Sequence, residues 1–204
     1  MLTNTKNVEI LKRGQDPSVP EDEIMGLIHG YVSTCHNESM GLMDRDEKKE
    51  AAKVLRLCEN FIRGQLPKRV ELFCRKRGVM HTVLNNQAQH SNMMADMDRS
   101  IEYLEKALES AEDPECDQDQ LPLAETHLNL ANGYSYMNKF REALQHAEKA
   151  LNFALKRCSR LQQDLTMYAQ RPKEQQDEKV IENLELQLND FIAIKIMADM
   201  AVGE

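Results

Sequence analysis

The stretch AETHLNLANGYSYMNKFREALQHAEKALNFAL, from Ala124 to Leu155, decides the fold. It places small residues at Ala131, Ala143 and Ala150 and larger ones at Leu130, Tyr134 and Phe140. Two antiparallel helices that cross closely need small residues where their backbones approach, with large apolar side chains filling the grooves alongside. The segment therefore reads as a helix–turn–helix hairpin. One such hairpin leaves its apolar faces uncovered, so units of this kind normally stack on neighbours.

A more degenerate copy, HTVLNNQAQHSNMMADMDRSIEYLEKALESAE, lies 43 residues upstream, from His81 to Glu112. Leu84, Ala88, Met97, Ser100, Ile101, Leu104, Ala107 and Leu108 occupy the matching places, while Gln87 and Ser91 depart from the later copy. Ala88 with Ala131, Ser100 with Ala143 and Ala107 with Ala150 all share the 43-residue separation. Three coincident pairs make these segments copies of one unit.

The pattern closely resembles the tetratricopeptide repeat, whose signature spans about 34 residues. His127, Leu130, Ala131, Tyr134, Phe140, Ala143 and Ala150 follow that signature in order, with His127 standing where the family usually has Trp and Leu155 where it has Pro. The longer offset is similar in spacing to repeats of the kinesin light chain type. The resemblance implies an all-α fold, an α-α superhelix of antiparallel helix pairs. It assigns packing within the repeats to Leu84, Ala88, Ala107, Leu130, Ala131, Tyr134, Phe140, Ala143 and Ala150.

Outside the two copies the chain divides further. Residues 1–22, with Gly14, Pro17 and Pro20, read as an N-terminal arm, disordered alone or ordered against a neighbour. A divergent α-hairpin is expected over 23–66. Its first helix opens at Pro20-Glu21-Asp22-Glu23, acids suited to a helix N-terminus, and breaks near Cys35 to Gly41. Its second carries Ala51, Ala52, Leu55, Cys58, Phe61 and Ile62.

The degenerate repeat spans 67–114. Val70, Phe73, Met80, Leu84 and Ala88 predict one long first helix running through Gly78, which costs about 1 kcal/mol relative to Ala. The clearer repeat spans 123–171, its second helix continuing through Ala154, Cys158, Leu161 and Leu165 until Arg171-Pro172 stops it. Residues 175–204 form a final helix that caps the array or opens a truncated third repeat, with Ile194, Met197, Ala198 and Ala201 in the signature places.

Composition bounds the function. Five scattered cysteines without a CxxC pair read as reduced thiols, and no window holds the roughly 18 apolar residues of a membrane span. A cytoplasmic protein is expected, with a cytoskeletal or ciliary location as the more specialised alternative. A net charge of −8 argues against nonspecific nucleic-acid binding. The charge is uneven, with a basic cluster at Lys68, Arg69, Arg75, Lys76 and Arg77 and an acidic run from Glu102 to Asp119. Twelve methionines suit irregular core gaps better than a specialised binding face.

The sequence carries no P-loop, GxGxxG, GxSxG or HExxH, and its histidines are dispersed. His29, Cys35 and His36 come nearest to a metal cluster but have no fourth ligand at a suitable spacing. No enzyme activity, metal or cofactor is expected. His127 is expected to pack between helices rather than act as a base.

In the tetratricopeptide family the first helix of each repeat lines a concave groove. The resemblance thus directs Thr82, Asn85, Asn86, Gln89, Asn92 and Met93 of the first copy into it, with Glu125, Leu128, Asn129, Asn132, Ser135 and Tyr136 of the second. Asn86 and Asn129 are equivalent, and each amide offers a donor and an acceptor that suit the backbone of an extended peptide. Asn85, Ile192 and Ile196 stand where a chaperone-tail carboxylate clamp needs other groups, which argues against that ligand. The expected function is an adaptor or scaffold that binds a partner polypeptide, an extended peptide or a helix, in the groove. The alternative is a structural subunit of a cytoskeletal or ciliary, microtubule-associated assembly.

Overall fold

A computed structural model describes residues 2–112, 116, 122–170 and 178–203. The described residues form α-helices joined by turns, an all-α fold of helix pairs. They divide into two compact units, Met1–Leu121 and Pro122–Glu204. The first contains α1 (Leu2–Gln15), α2 (Glu21–Asp44), α3 (Lys48–Gly64), α4 (Lys68–Lys76), α5 (Val79–Met93) and α6 (Met97–Ala111). The second contains α7 (Leu123–Tyr136), α8 (Phe140–Ala169) and α9 (Glu178–Gly203).

Three expectations give way in the first unit. Residues 2–15 form a helix, α1, where an arm disordered alone or ordered against a neighbour was expected. Ile10 is fully buried with Ile24, Ile28 and Val70, and α1 approaches α4 so closely that a Cβ on Gly14 would collide with Val70 Cγ2. The expected break at Cys35 to Gly41 is absent, because Cys35, Ser39 and Leu42 extend the buried stripe of Ile24, Ile28, Tyr31 and Val32. Thr34 returns its hydroxyl to the Gly30 carbonyl at 2.6 Å, so that polar residue leaves the helical ladder intact.

The long helix expected through Gly78 is two helices. Gly78 has φ 59°, the left-handed conformation that lacks a Cβ penalty only in glycine, and its N–H donates to the Arg75 carbonyl. Arg69 Nη1 and Nη2 donate to the carbonyls of Asp16 and Val19, each at 2.7 Å, and Arg77 Nη2 meets Asp22 Oδ1 at 2.9 Å. Arg69 thus holds α4 to the segment before α2, and Arg77, just past α4, pairs with the first turn of α2. Tyr31 sets its ring against the edge of Phe61 at 5.1 Å in the middle of this core.

Three hairpins share one turn. Asp46, Ala95 and Asn138 have φ of 61°, 56° and 58°, and their N–H groups donate to the carbonyls of Met43, Asn92 and Ser135, each at 2.9 Å. The next N–H in each case, from Glu47, Asp96 and Lys139, reaches back to Leu42, Ser91 and Tyr134. Counting from these turns, Ser39, Ala88 and Ala131 are equivalent, as are Ala51, Ser100 and Ala143, and Cys58, Ala107 and Ala150; all nine are buried. The α2–α3 pair is therefore built on the same plan as α5–α6 and α7–α8. In the α5–α6 pair the Ser100 hydroxyl donates to the Ala88 carbonyl at 2.9 Å, a direct bond across the close approach.

In the second unit α7 lies along α8, and α9 packs on both. Ala147, Ala150 and Ala154 are fully buried on α8, allowing close helix contact. Arg157 and Gln187 join α8 to α9 at 3.4 Å. Arg171-Pro172, the expected stop, and most of the acidic loop from Asp113 lie outside the described residues, as do the side chains of Phe191, Ile194, Met197, Ala198 and Ala201.

Candidate functional site: the first-helix faces and a basic cavity

On α5 the residues directed to a groove separate by depth. Gln89, Asn92 and Met93 are exposed, while Thr82, Asn85 and Asn86 are half-buried. Asn85 Nδ2 donates to the His81 carbonyl of its own helix at 2.9 Å, committing part of its hydrogen-bonding capacity. His81 is fully buried, and burial lowers its pKa to about 4. It remains a neutral core group near pH 7.

The corresponding face of α7 is open. Glu125, Asn129, Asn132, Ser135 and Tyr136 are all exposed, Tyr136 by 73%. The other side of α7 is sealed by Thr126, His127, Leu130, Ala131 and Gly133. Leu128 departs from its expected place in the groove: it is buried in a cluster with Ala124, Ala150 and Ala154, with Leu151 and Phe153 alongside. The two faces belong to different units, and each is described by itself.

Phe140 also requires correction. It was expected in the repeat core, yet it is 65% exposed at the start of α8. Helical rotation explains this, since α8 turns Ala143, Ala147 and Ala150 toward α7 and leaves Phe140 and Leu144 outward. Tyr134 is half-buried, stacked on His146 at 5.5 Å with Lys139 Nζ over its ring. Leu84, Ala88, Ala107, Leu130, Ala131, Ala143 and Ala150 are buried. His127 is buried too, its Nδ1 3.0 Å from His146 Nδ1 and its ring stacked on Phe153.

The first unit holds a feature that the sequence did not disclose. A cavity of about 430 Å³ opens between the start of α3, the later half of α5 and the start of α6. Lys48, Lys49, Arg56 and Arg99 line it with one carboxylate, Asp96, which caps α6 through the Arg99 N–H. Gln87 and His90 form buried parts of its wall. Gln87 Nε2 donates to Glu59 Oε2 at 2.8 Å. Burial would raise the Glu59 pKa, but its bonds to Gln87 and Arg63 and the charges of Arg63 and Lys106 leave it lowered. Burial lowers the pKa of His90, opposed by a bond to the Lys48 backbone and aided by the Arg99 charge. The available signal was the pair of polar residues, Gln87 and His90, on a side of α5 that repeat packing otherwise keeps apolar.

Residues 79–156 match the tetratricopeptide repeat family. The match begins at α5 and ends within α8, covering both hairpins from which the reading started. Tetratricopeptide repeats generally mediate protein–protein interaction and scaffolding, and the fold is typically non-enzymatic. No curated protein matches the chain. Among the described residues no group of three His, Cys, Asp or Glu side chains is placed to hold a metal ion, and no described helix is long and apolar enough to cross a membrane.

Proposed function

We propose that the chain is an adaptor or scaffold that binds a partner polypeptide through the first-helix faces of its repeats. The observation that carries this reading is the open face of α7, where Asn129 and Asn132 stand between Glu125 and the exposed ring of Tyr136. Amide side chains pair with a peptide backbone whatever its sequence, and an exposed tyrosine supplies apolar area with a polar tip. Gln89 and Asn92 give α5 a similar face, with Thr82, Asn85 and Asn86 half-buried at its margin. The long repeat spacing, similar to that of kinesin light chain repeats, leaves room for partner-specific extensions beside the hairpins.

Affinity capture with mass spectrometry compares the wild type with Asn129→Ala/Asn132→Ala/Tyr136→Ala. All three side chains are exposed, so circular dichroism should show an unchanged fold. Loss of specific partners supports the reading; retention of every partner refutes it.

A second reading makes the chain a structural subunit of a large, for example cytoskeletal or ciliary, assembly. It is supported by the exposed apolar side chains Leu186, Ile192 and Ile196 on α9. This reading predicts partners that survive the α7 substitutions and disappear with Leu186→Gln/Ile196→Gln.

A further inference from the structure

The cavity between α3, α5 and α6 has an electrostatic character opposite to that of the chain as a whole. On a protein of net charge −8, its wall carries four cationic side chains against the single carboxylate of Asp96. Lys49 and Arg56 pair with no described carboxylate. Helices α3 and α6 both begin at the cavity; α3 has no side-chain cap, so its positive dipole end adds to the field there, while Asp96 caps α6. Buried hydrogen-bonding capacity is also left over in the wall. Gln87 and His90 are 3% and 8% exposed, and Gln87 Oε1 and His90 Nε2 have no partner among the described residues. Buried polar atoms normally find partners. Ala52, Leu55, Met94 and Tyr103 supply an apolar lining beside these groups.

We propose that this cavity binds an acidic residue within a peptide, its oxyanion held by Lys49, Arg56 and Arg99. The oxyanion is a carboxylate or a phosphoryl group, since cationic side chains recognise both by charge-assisted hydrogen bonds. A peptide suits the remainder of the wall: its N–H groups answer the unpartnered acceptors, and its flanking side chains cover Leu55, Met94 and Tyr103. A sugar phosphate would set hydroxyls against that apolar lining. None of the cavity residues belongs to the first-helix face of the preceding subsection, so this site stands independently of that reading.

The test uses the full chain with isotope-labelled histidine, reading the His90 imidazole resonance assigned through His90→Gln. Four probes are titrated: acetyl-Ala-Glu-Ala-amide, the same peptide with phosphoserine at the centre, the same with Gln, and orthophosphate. The expected result is a saturable His90 shift with one or both acidic peptides and none with the Gln peptide. Whichever acidic peptide binds more tightly identifies the source of the oxyanion. Lys49→Gln/Arg56→Gln, exposed positions that leave the core untouched, should weaken that binding by about tenfold. Lys156→Gln in the other unit, with the same charge change per site, should leave it unaltered. A shift with orthophosphate alone would mean an adventitious ion only and overturn the proposal. So would an equal response to the Gln peptide, no response of His90, or equal weakening by Lys156→Gln.

Discussion

His81 couples the fold to pH. Its pKa falls from 6.5 to about 4 on burial, so between those values the unfolded chain takes up a proton that the native core refuses. Its contribution to stability is complete above pH ~6.5 and declines as pH falls toward about 4, by up to roughly 3 kcal/mol. Urea melts at pH 7.5 and 5.0 check this. The wild type should lose stability at the lower pH, and His81→Gln should flatten that dependence, leaving the smaller slope from His29, His36 and His90, also lowered by burial. Cysteine reactivity is graded in the same way. Cys58 is held in the thiol form by its hydrogen bond with Cys35 and by burial, and burial pushes Cys74 up to about 12. Maleimide labelling near neutral pH should therefore modify half-buried Cys116 before Cys35, Cys58, Cys74 and Cys158, all of them buried. Peptide mapping of a time course gives the order, and early labelling of Cys58 would contradict it.

Between helices, the decisive contacts are backbone approaches and left-handed turns. Ala95 occupies the left-handed region without the compensation that Asn138 gains from its short polar side chain. Ala95→Gly should raise stability by about 1 kcal/mol, and Asn138→Gly by less, as read from denaturant midpoints. Gly14→Ala should act in the opposite direction, because the new methyl collides with buried Val70; a loss of about 1–3 kcal/mol is expected despite alanine's better helix propensity. These cases also show where the sequence was legible. The helix-pair character of α5–α6 and α7–α8 followed from small residues at regular spacing, a signal local to each pair. Helix α1 escaped because its burial depends on a glycine meeting a valine 56 positions later. The division at Gly78 escaped because one left-handed residue is indistinguishable in sequence from a tolerated helix glycine. Phe140 was misplaced because the repeat pattern implied burial, whereas the rotation of α8 leaves its ring outside.

At the scale of the whole molecule, the two proposed binding surfaces differ in chemistry. The repeat register directed Glu125, Asn129, Asn132, Ser135 and Tyr136, all exposed, to one face of α7, but it directed buried Leu128 there too. The cavity was not readable, because Arg99 of α6 and the polar wall of α5 meet Lys48, Lys49 and Arg56 of α3 only in the packed structure. The face and the cavity predict different salt responses. Binding carried by neutral amides and Tyr136 should change little as ionic strength rises, whereas the cavity's grip on an oxyanion should weaken markedly. The most direct test of the central claim places a photo-crosslinking amino acid at Asn132 on the open face of α7, with exposed Glu148 on α8 as the control position. Partner polypeptide crosslinked from position 132 and absent from 148 is the predicted result; crosslinking from 148 with none from 132 would contradict it.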